Sequence, residues 1–322
     1  MQASLIEAPG KVQFIEVPEP EPGNGQVVIR TAYLAICGSD IFHVYHDNPS
    51  AYPKAVGSSG HEMVGYVQKI GPGVAGLKEG DATLTLGPRH NAMSTSFLAE
   101  QGDVFKLPKQ KSMEELLMAQ QLGTVIYACM RLPNMIGRTA AIVGQGSAGL
   151  FFSAYLKRLG AEKIIAMDIV DARVRAAKEF GATDAFNNAK EDPLDKISAL
   201  TNGAMADLVI EAAGEEETIN LIPSLVREKG VLYFFGVPRS GTFRFNYTAF
   251  YRRYAQTYTS GAAMDQKDKN FFNTALKLIA DGDINVNGML THRFPLTELP
   301  KAYDMAKTRE DGLIKALITM PV

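Results

Sequence analysis

Cys37, Ser39, Asp40, His61 and Glu62 lie within one short stretch, as Cys37-Gly38-Ser39-Asp40 and Gly60-His61-Glu62. Thiolate, imidazole and carboxylate are the side chains that hold a catalytic Zn²⁺, where three protein ligands leave one position open. Ser39, two residues from the thiol, offers a hydroxyl that could pass a proton. The stretch therefore reads as a catalytic metal site. Without its company, a buried thiol and a structural histidine would be the better reading. Gly144-Gln145-Gly146-Ser147-Ala148-Gly149 supplies a second kind of chemistry. Gly144 permits a tight turn, Gly146 admits a pyrophosphate to backbone N–H groups at a positive helix end, and Gly149 allows close helix–strand packing. The motif follows a short apolar strand (139–143), opens a helix, and precedes a second strand ending in Asp168, the context that the dinucleotide fingerprint requires. The Asp168 carboxylate can accept from ribose hydroxyls and repels a 2′-phosphate, which favours NAD. A neighbouring arginine can accommodate that phosphate, and Arg173 is placed with the cofactor set.

The elements that must position these groups fall into two patterns. Residues 1 to about 110 read as all-β: 12–17 alternates with period two, 26–33 and 64–70 read as two further strands, and Pro18, Pro20, Pro22, Gly23-Asn24-Gly25 and Gly71-Pro72-Gly73 mark breaks and turns. Short strands at this spacing predict a barrel or sandwich. Ser112-Met113-Glu114-Glu115 has the form of a helix-capping box. Beyond it, apolar strands at 139–143, 163–168, 207–211 and 231–235 alternate with helical stretches such as 150–159 and 172–180, which predicts βαβ units on a parallel sheet. An amphipathic helix over 271–280, a turn at Asp281-Gly282-Asp283, a helix over 296–306 and an apolar strand follow.

Bulk properties agree. A chain of 322 residues suits two domains, and 46% apolar with 21% charged residues is a globular composition. The net charge of −2 makes nucleic acid a poor partner. No long apolar run predicts a membrane span, and the N-terminal residues lack a signal-peptide pattern. Two cysteines argue against a disulfide framework, so a reducing cytoplasm is the expectation.

With strand, thiol, Gly-His-Glu and nucleotide loop in this order, the chain resembles the medium-chain dehydrogenase/reductase superfamily, in its zinc-dependent alcohol and polyol dehydrogenase branch. Gly236-Val237-Pro238 and Thr291-His292-Arg293-Phe294-Pro295-Leu296 add to a resemblance that spans essentially the whole chain. It implies an α/β protein: a GroES-like β-barrel catalytic domain (1–120 and 265–322) and a Rossmann doubly wound domain (121–264). It makes Cys37 and His61 zinc ligands and Glu62 an alternating ligand or outer-sphere group. The third family ligand is usually Cys or Glu. Here the corresponding segment reads Ala119-Gln120-Gln121-Leu122, and Gln121 is aligned to that place, as some archaeal glucose dehydrogenases use Gln. A neutral amide leaves the metal more Lewis acidic but less tightly held. The four cysteines of the family's structural zinc lobe have no counterpart in 83–93, so one catalytic zinc and no structural zinc are expected.

Ser39 matches the hydroxyl that starts the family's proton relay. The histidine that often ends the relay is replaced by Phe42, leaving His43 or His46 as candidates. Asp40 is read as orienting the loop. The resemblance places Ser147, Ala148, Gly236 and Val237 with Gly144, Gly146, Gly149, Asp168 and Arg173 at the cofactor. The activity implied is hydride transfer between NAD, with NADP the lesser choice, and a small-molecule secondary alcohol or ketone, with a polyol or sugar derivative as the narrower expectation. A zinc-free NADPH-dependent quinone or enone reductase and a non-catalytic nucleotide sensor are the rival readings. A homo-oligomer, dimer or tetramer, is expected. Tyr247, Phe250, Tyr251, Tyr254 and Tyr258 read as core or subunit interface, Cys129 as a core residue, His292 as structural, and Arg89 and His90 as weak candidates to face a polar substrate.

Overall fold

The computed structural model describes residues 1–259 and 263–321. The N-terminal region contains strands β1 (Gln2–Ala8), β2 (Lys11–Glu16), β3 (Gln26–Ala35), β4 (Glu62–Ile70), β5 (Ala82–Leu86), β6 (Ser96–Glu100) and β7 (Val104–Lys106). A short helix α1 (Gly38–Ile41) follows β3, and a π-helical turn (Phe42–His46) extends it. The capping box at Ser112 forms as expected. Ser112 Oγ accepts from Glu115 N at 3.2 Å and the Glu115 carboxylate accepts from Ser112 N at 3.0 Å, opening α2 (Met113–Leu117). Helix α3 (Ala119–Cys129) comes next.

The central region alternates β8 (Thr139–Val143), α4 (Ser147–Arg158), β9 (Lys163–Asp168), α5 (Asp171–Glu179), β10 (Asp184–Asn187), α6 (Pro193–Leu200), β11 (Ala206–Glu211), α7 (Glu216–Leu225), β12 (Val226–Phe234), α8 (Tyr247–Tyr251) and β13 (Gln256–Thr259). The chain closes with α9 (Asn270–Ala280), β14 (Leu290–Pro295), α10 (Leu299–Thr308) and β15 (Lys315–Thr319). Strand β10 is four residues with a half-buried start and no clear alternation, so its pattern was too short to read.

Two compact units result, 1–124 with 263–322, and 125–262. The division falls within α3, after Thr124, so Gln121 belongs to the barrel unit rather than opening the nucleotide-binding domain. In the first unit the sheet order is β14-β15-β3-β4-β5-β7, with β6 also on β3. Its core gathers Ile29, Leu34, Ile36, Met63, Phe97, Tyr303 and Ile318, among others. In the second unit the order β10-β9-β8-β11-β12-β13 is wholly parallel and doubly wound. Its topological switch falls between β8 and β11, where such sheets bind ligands. Tyr247, Tyr251 and Tyr254 are 62%, 59% and 64% exposed, which corrects the core reading for these three. Tyr247 and Tyr251 are the two ends of the five-residue α8 and Tyr254 follows it; the helix is too short to bury an apolar face. No helix among the described residues is long and apolar enough to cross a membrane.

Candidate functional site

The end of β3 organises the first cluster. Ala35 pairs with Glu62 of β4 on one side and with Leu317 of β15 on the other. Cys37 follows at once, so the antiparallel register puts Glu62 and Lys315 on either flank of it. Cys37, His61 and Glu62 each offer a ligand atom, and these atoms lie within 4.8 Å of one another. His61 Nε2 is 3.8 Å from Glu62 Oε1. Thiol, imidazole and carboxylate at this spacing are a donor set that fits zinc.

Asp40 ties the two motifs together from beneath. It is fully buried; Oδ2 accepts from Cys37 N at 2.8 Å and Oδ1 from Gly60 N at 3.1 Å. Its Oδ1 lies 3.5 Å from His61 Nδ1. Burial opposes the Asp40 charge, but His61 and His90 beside it outweigh this and hold the carboxyl well below its ordinary range. Burial likewise opposes a charged His61, and Asp40 and Cys37 overcome it, so the imidazole titrates well above its usual value. A carboxylate on the far nitrogen of a ligating histidine fixes the ring and raises its basicity.

Lys315, which sequence reasoning passed over, and His90, which it held only as a weak candidate, join the cluster. Lys315 Nζ lies 2.8 Å from Glu62 Oε1 and 2.7 Å from Oε2, with both side chains essentially inaccessible. Burial disfavours the ammonium, but Glu62 and Cys37 more than offset it, so Lys315 is held protonated above the ordinary lysine range. His90, a weak candidate in the sequence, lies in the site. Leu86 pairs with Glu62, and the chain then turns, with His90 N donating to Gly87 O at 2.8 Å and Ala92 N to Gly60 O at 3.1 Å. That turn brings His90 against His61 with ring centroids 4.3 Å apart and planes tilted by 56°, and against His43 at 4.8 Å and 47°.

The remaining candidates are placed as follows. Ser39 is buried on α1, and its hydroxyl makes no side-chain hydrogen bond among those found for the described residues. His43 is half-buried, one imidazole removed from His61, with burial chiefly lowering its pKa. Phe42 packs edge-on against His43. Gln121 lies on α3, 7% exposed, with its Oε1 buried and unpartnered among the described residues. Its neighbour Gln120 is also buried and donates to Met264 Sδ at 3.5 Å. Cys129 is buried and its thiol is pushed up by burial alone, as a core residue should be. His292 lies on β14 and leans on Thr291 and Asp311.

The second site lies on the other unit. Gly146 caps α4, Ser147 and Ala148 begin it, and Gly144 turns with φ at +94°, a conformation for which glycine is suited. A Cβ on Gly149 would run into the Gly144 carbonyl oxygen, so glycine there is a packing requirement. Asp168 ends β9 and shapes the loop: Oδ2 accepts from Gln145 N at 2.6 Å and Oδ1 from Val170 N at 2.9 Å. Arg173 is buried with Nη1 4.0 Å from Asp168 Oδ2.

Glu211, at the end of β11, was not foreseen as a site residue. Its Oε1 accepts from Ala213 N, Gly214 N and Thr218 Oγ1 at 2.8, 2.8 and 2.7 Å, shaping the turn that faces Gly144. Burial, above all, raises its pKa. A Cβ on Gly236 would meet Glu211 Oε2 at 2.6 Å, and Val237 beyond it is 46% exposed. Loops after β8, β11 and β12 thus gather at the switch point, where a dinucleotide pyrophosphate binds in such sheets.

Two family patterns match the chain. The one described as an alcohol dehydrogenase GroES-like domain covers residues 23–106, and the one described as a zinc-binding dehydrogenase covers residues 148–281. D-arabitol-phosphate dehydrogenase of Enterococcus avium is 28% identical, over 99% of this chain and 97% of its own. Sorbitol dehydrogenase of Rattus norvegicus is 26% identical, over 94% of this chain and 92% of its own. Among solved structures, the alcohol dehydrogenase of Thermus sp. ATN1 superposes with a TM-score of 0.83 at 25% identity, covering 100% of both chains. With a GroES-like unit carrying the Cys37 cluster, a Rossmann unit carrying the glycine loop, and relatives that span its length, the chain belongs to the zinc-dependent alcohol dehydrogenases of the medium-chain dehydrogenase/reductase superfamily.

Proposed function

We propose that the protein is a zinc-dependent, NAD-linked dehydrogenase of a secondary alcohol, with a polyol or sugar derivative as substrate. The observation that carries this reading is the convergence of Cys37, His61 and Glu62 at ligand spacing beside a fully buried Lys315. Cys37 and His61 would hold the ion, with Glu62 within reach. Gln121 is assigned as the third ligand because a buried amide oxygen without a donor is costly unless something binds it. The lack of a second cysteine cluster supports one catalytic zinc and no structural zinc.

When bound, the ion acts as a Lewis acid at the substrate oxygen. The rest falls to the chain. Ser39 contacts that oxygen and takes its proton, and His43 passes the proton outward. Asp40 holds the ligand segments, and Lys315 neutralises Glu62. A nicotinamide held at the Gly144–Gly149 loop would supply the hydride donor or acceptor for the carbinol carbon. Asp168, at the end of the second strand, favours NAD through the ribose hydroxyls. The polyol assignment leans on relatives named for sorbitol and arabitol phosphate, and on structural neighbours named for galactitol 1-phosphate and L-idonate. A homo-oligomer, dimer or tetramer, is assigned because β13 ends its sheet as a largely exposed edge strand and Tyr247, Tyr251 and Tyr254 are exposed on the same unit. Light scattering should give twice or four times the mass of one chain.

The test is metal content alongside turnover. Purified protein should carry about one zinc per chain and reduce NAD with a polyol such as sorbitol, losing that activity to a chelator. Gln121→Ala should release zinc about 10–100-fold more readily in chelator competition, while Gln120→Ala should not. Equal retention in wild type and Gln121→Ala removes Gln121 from the site. Full activity in chelator removes the zinc mechanism.

A further inference from the structure

His61 presents its two ring nitrogens to different neighbours. Nε2 is 3.8 Å from Glu62 Oε1, on the side of the Cys37 set, and Nδ1 is 3.5 Å from Asp40 Oδ1. His90 Nδ1 approaches that same Asp40 oxygen to 3.9 Å. Both Nδ1 atoms are buried and make no hydrogen bond among the described residues, and His61 is only 5% exposed. Buried polar atoms are normally satisfied, so two imidazole nitrogens converging on one carboxylate oxygen need an explanation.

The spacing offers one. A tetrahedral ion with bonds of about 2.0–2.2 Å holds its ligand atoms roughly 3.3–3.6 Å apart. The observed 3.5 and 3.9 Å are close to that. Asp40, His61 and His90 each supply one ligand atom, and the three atoms lie within 4.8 Å of one another. His90 holds its place through a left-handed backbone at φ +50°, uncommon for a side-chain-bearing residue and concentrated at functional sites. Its side chain is 25% exposed, so water can complete the coordination.

We propose that Asp40, His61 and His90 form a second divalent-cation position that alternates with the Cys37–His61–Glu62 position by sharing His61. A neutral imidazole carries a lone pair on one nitrogen and a proton on the other. An ion on Nδ1 therefore leaves Nε2 protonated and unable to ligate, so the chain holds one ion in either place and not two. The first donor set is soft and selects zinc. The second contains no sulfur and also suits the harder, imidazole-preferring ions, such as cobalt and nickel. This inference rests on the metal reading above for the position it competes with.

The test uses the full chain titrated with Co²⁺ against a chelating dye, reading bound metal together with the thiolate-to-cobalt charge-transfer band. Wild type should bind one ion. Cys37→Ala should still bind one, without the band and about 10–100-fold more weakly, and Cys37→Ala/His90→Ala should lose it. A second reading needs no thiol variant: His90→Ala should raise the band intensity per bound cobalt above wild type, because every ion is then driven to Cys37. Should Cys37→Ala not fold, this ratio decides. Loss of binding in folded Cys37→Ala, or an unchanged ratio where that variant does not fold, overturns the second position and leaves the first standing. A wild-type chain that binds no ion overturns the metal reading itself.

Discussion

Lys315→Met should destabilise the metal-free protein by about 3–5 kcal/mol at neutral pH, the cost of leaving a buried charge without its partner. Lys315 is 1% exposed and Glu62 is inaccessible, and the ammonium bridges both carboxylate oxygens at 2.8 and 2.7 Å. Methionine fills similar space but offers no charge, so Glu62 must either take up a proton or remain uncompensated. The double variant Lys315→Met/Glu62→Gln removes both charges and should recover most of the loss, because a buried pair replaced as a unit is close to neutral. Urea unfolding in chelator, at constant denaturant slope, measures all three proteins without a contribution from metal binding. The account fails if the single variant lies within about 1 kcal/mol of wild type. It fails equally if the double variant is no more stable than the single. With zinc present the gap between wild type and Lys315→Met should narrow, since a released Glu62 carboxylate can turn to the ion.

Lys315 also marks the limit of what the sequence makes legible. Local signals survived well. The Ser112 capping box, the strand–glycine–helix run at Gly144 to Gly149 and the apolar strands β3 and β4 between turn residues each depend on neighbours within a few residues. Cys37, His61 and Glu62 were visible because they lie in two short motifs joined by one excursion of the chain. Lys315 is brought to them only by the antiparallel pairing of β15 on β3, where Leu317 meets Ala35. No period within the final strand distinguishes a lysine that pairs with a remote carboxylate from one that reaches solvent. His90 is hidden for a related reason: its place depends on a turn in the left-handed region, which the residue types Gly87-Pro88-Arg89-His90 permit without demanding. Glu211 is a third case, where a carboxylate ending a buried strand looked like the strand's edge and is instead the acceptor for a turn. Tyr247, Tyr251 and Tyr254 around α8 are exposed, which removes the core half of the core-or-interface reading, since aromatic composition does not distinguish a residue buried within one chain from one on its surface.

Asp40→Ala should be among the most damaging single changes around the Cys37–His61 cluster. The inaccessible Asp40 carboxylate accepts from Cys37 N and Gly60 N, one donor from each of the two motifs. Alanine leaves the buried Gly60 N–H and the part-buried Cys37 N–H without this acceptor; at about 1–3 kcal/mol for the first and less for the second, the expected loss is about 1–4 kcal/mol. Asp40→Asn should cost less in stability, because its amide oxygen still serves one of the two donors. It removes the charge beside His61 Nδ1, however, and with it the group that orients and enriches that imidazole. Both variants should therefore weaken metal binding about 10–100-fold, while their unfolding free energies separate. Chelator competition and urea unfolding, run on the same preparations, distinguish the two roles. Equal stability losses in Asp40→Ala and Asp40→Asn would show that the charge rather than the two backbone bonds holds the segments. Metal affinity unchanged in both would leave Asp40 a purely structural acceptor and would assign the orientation of His61 to the tilted ring of His90 packed against it.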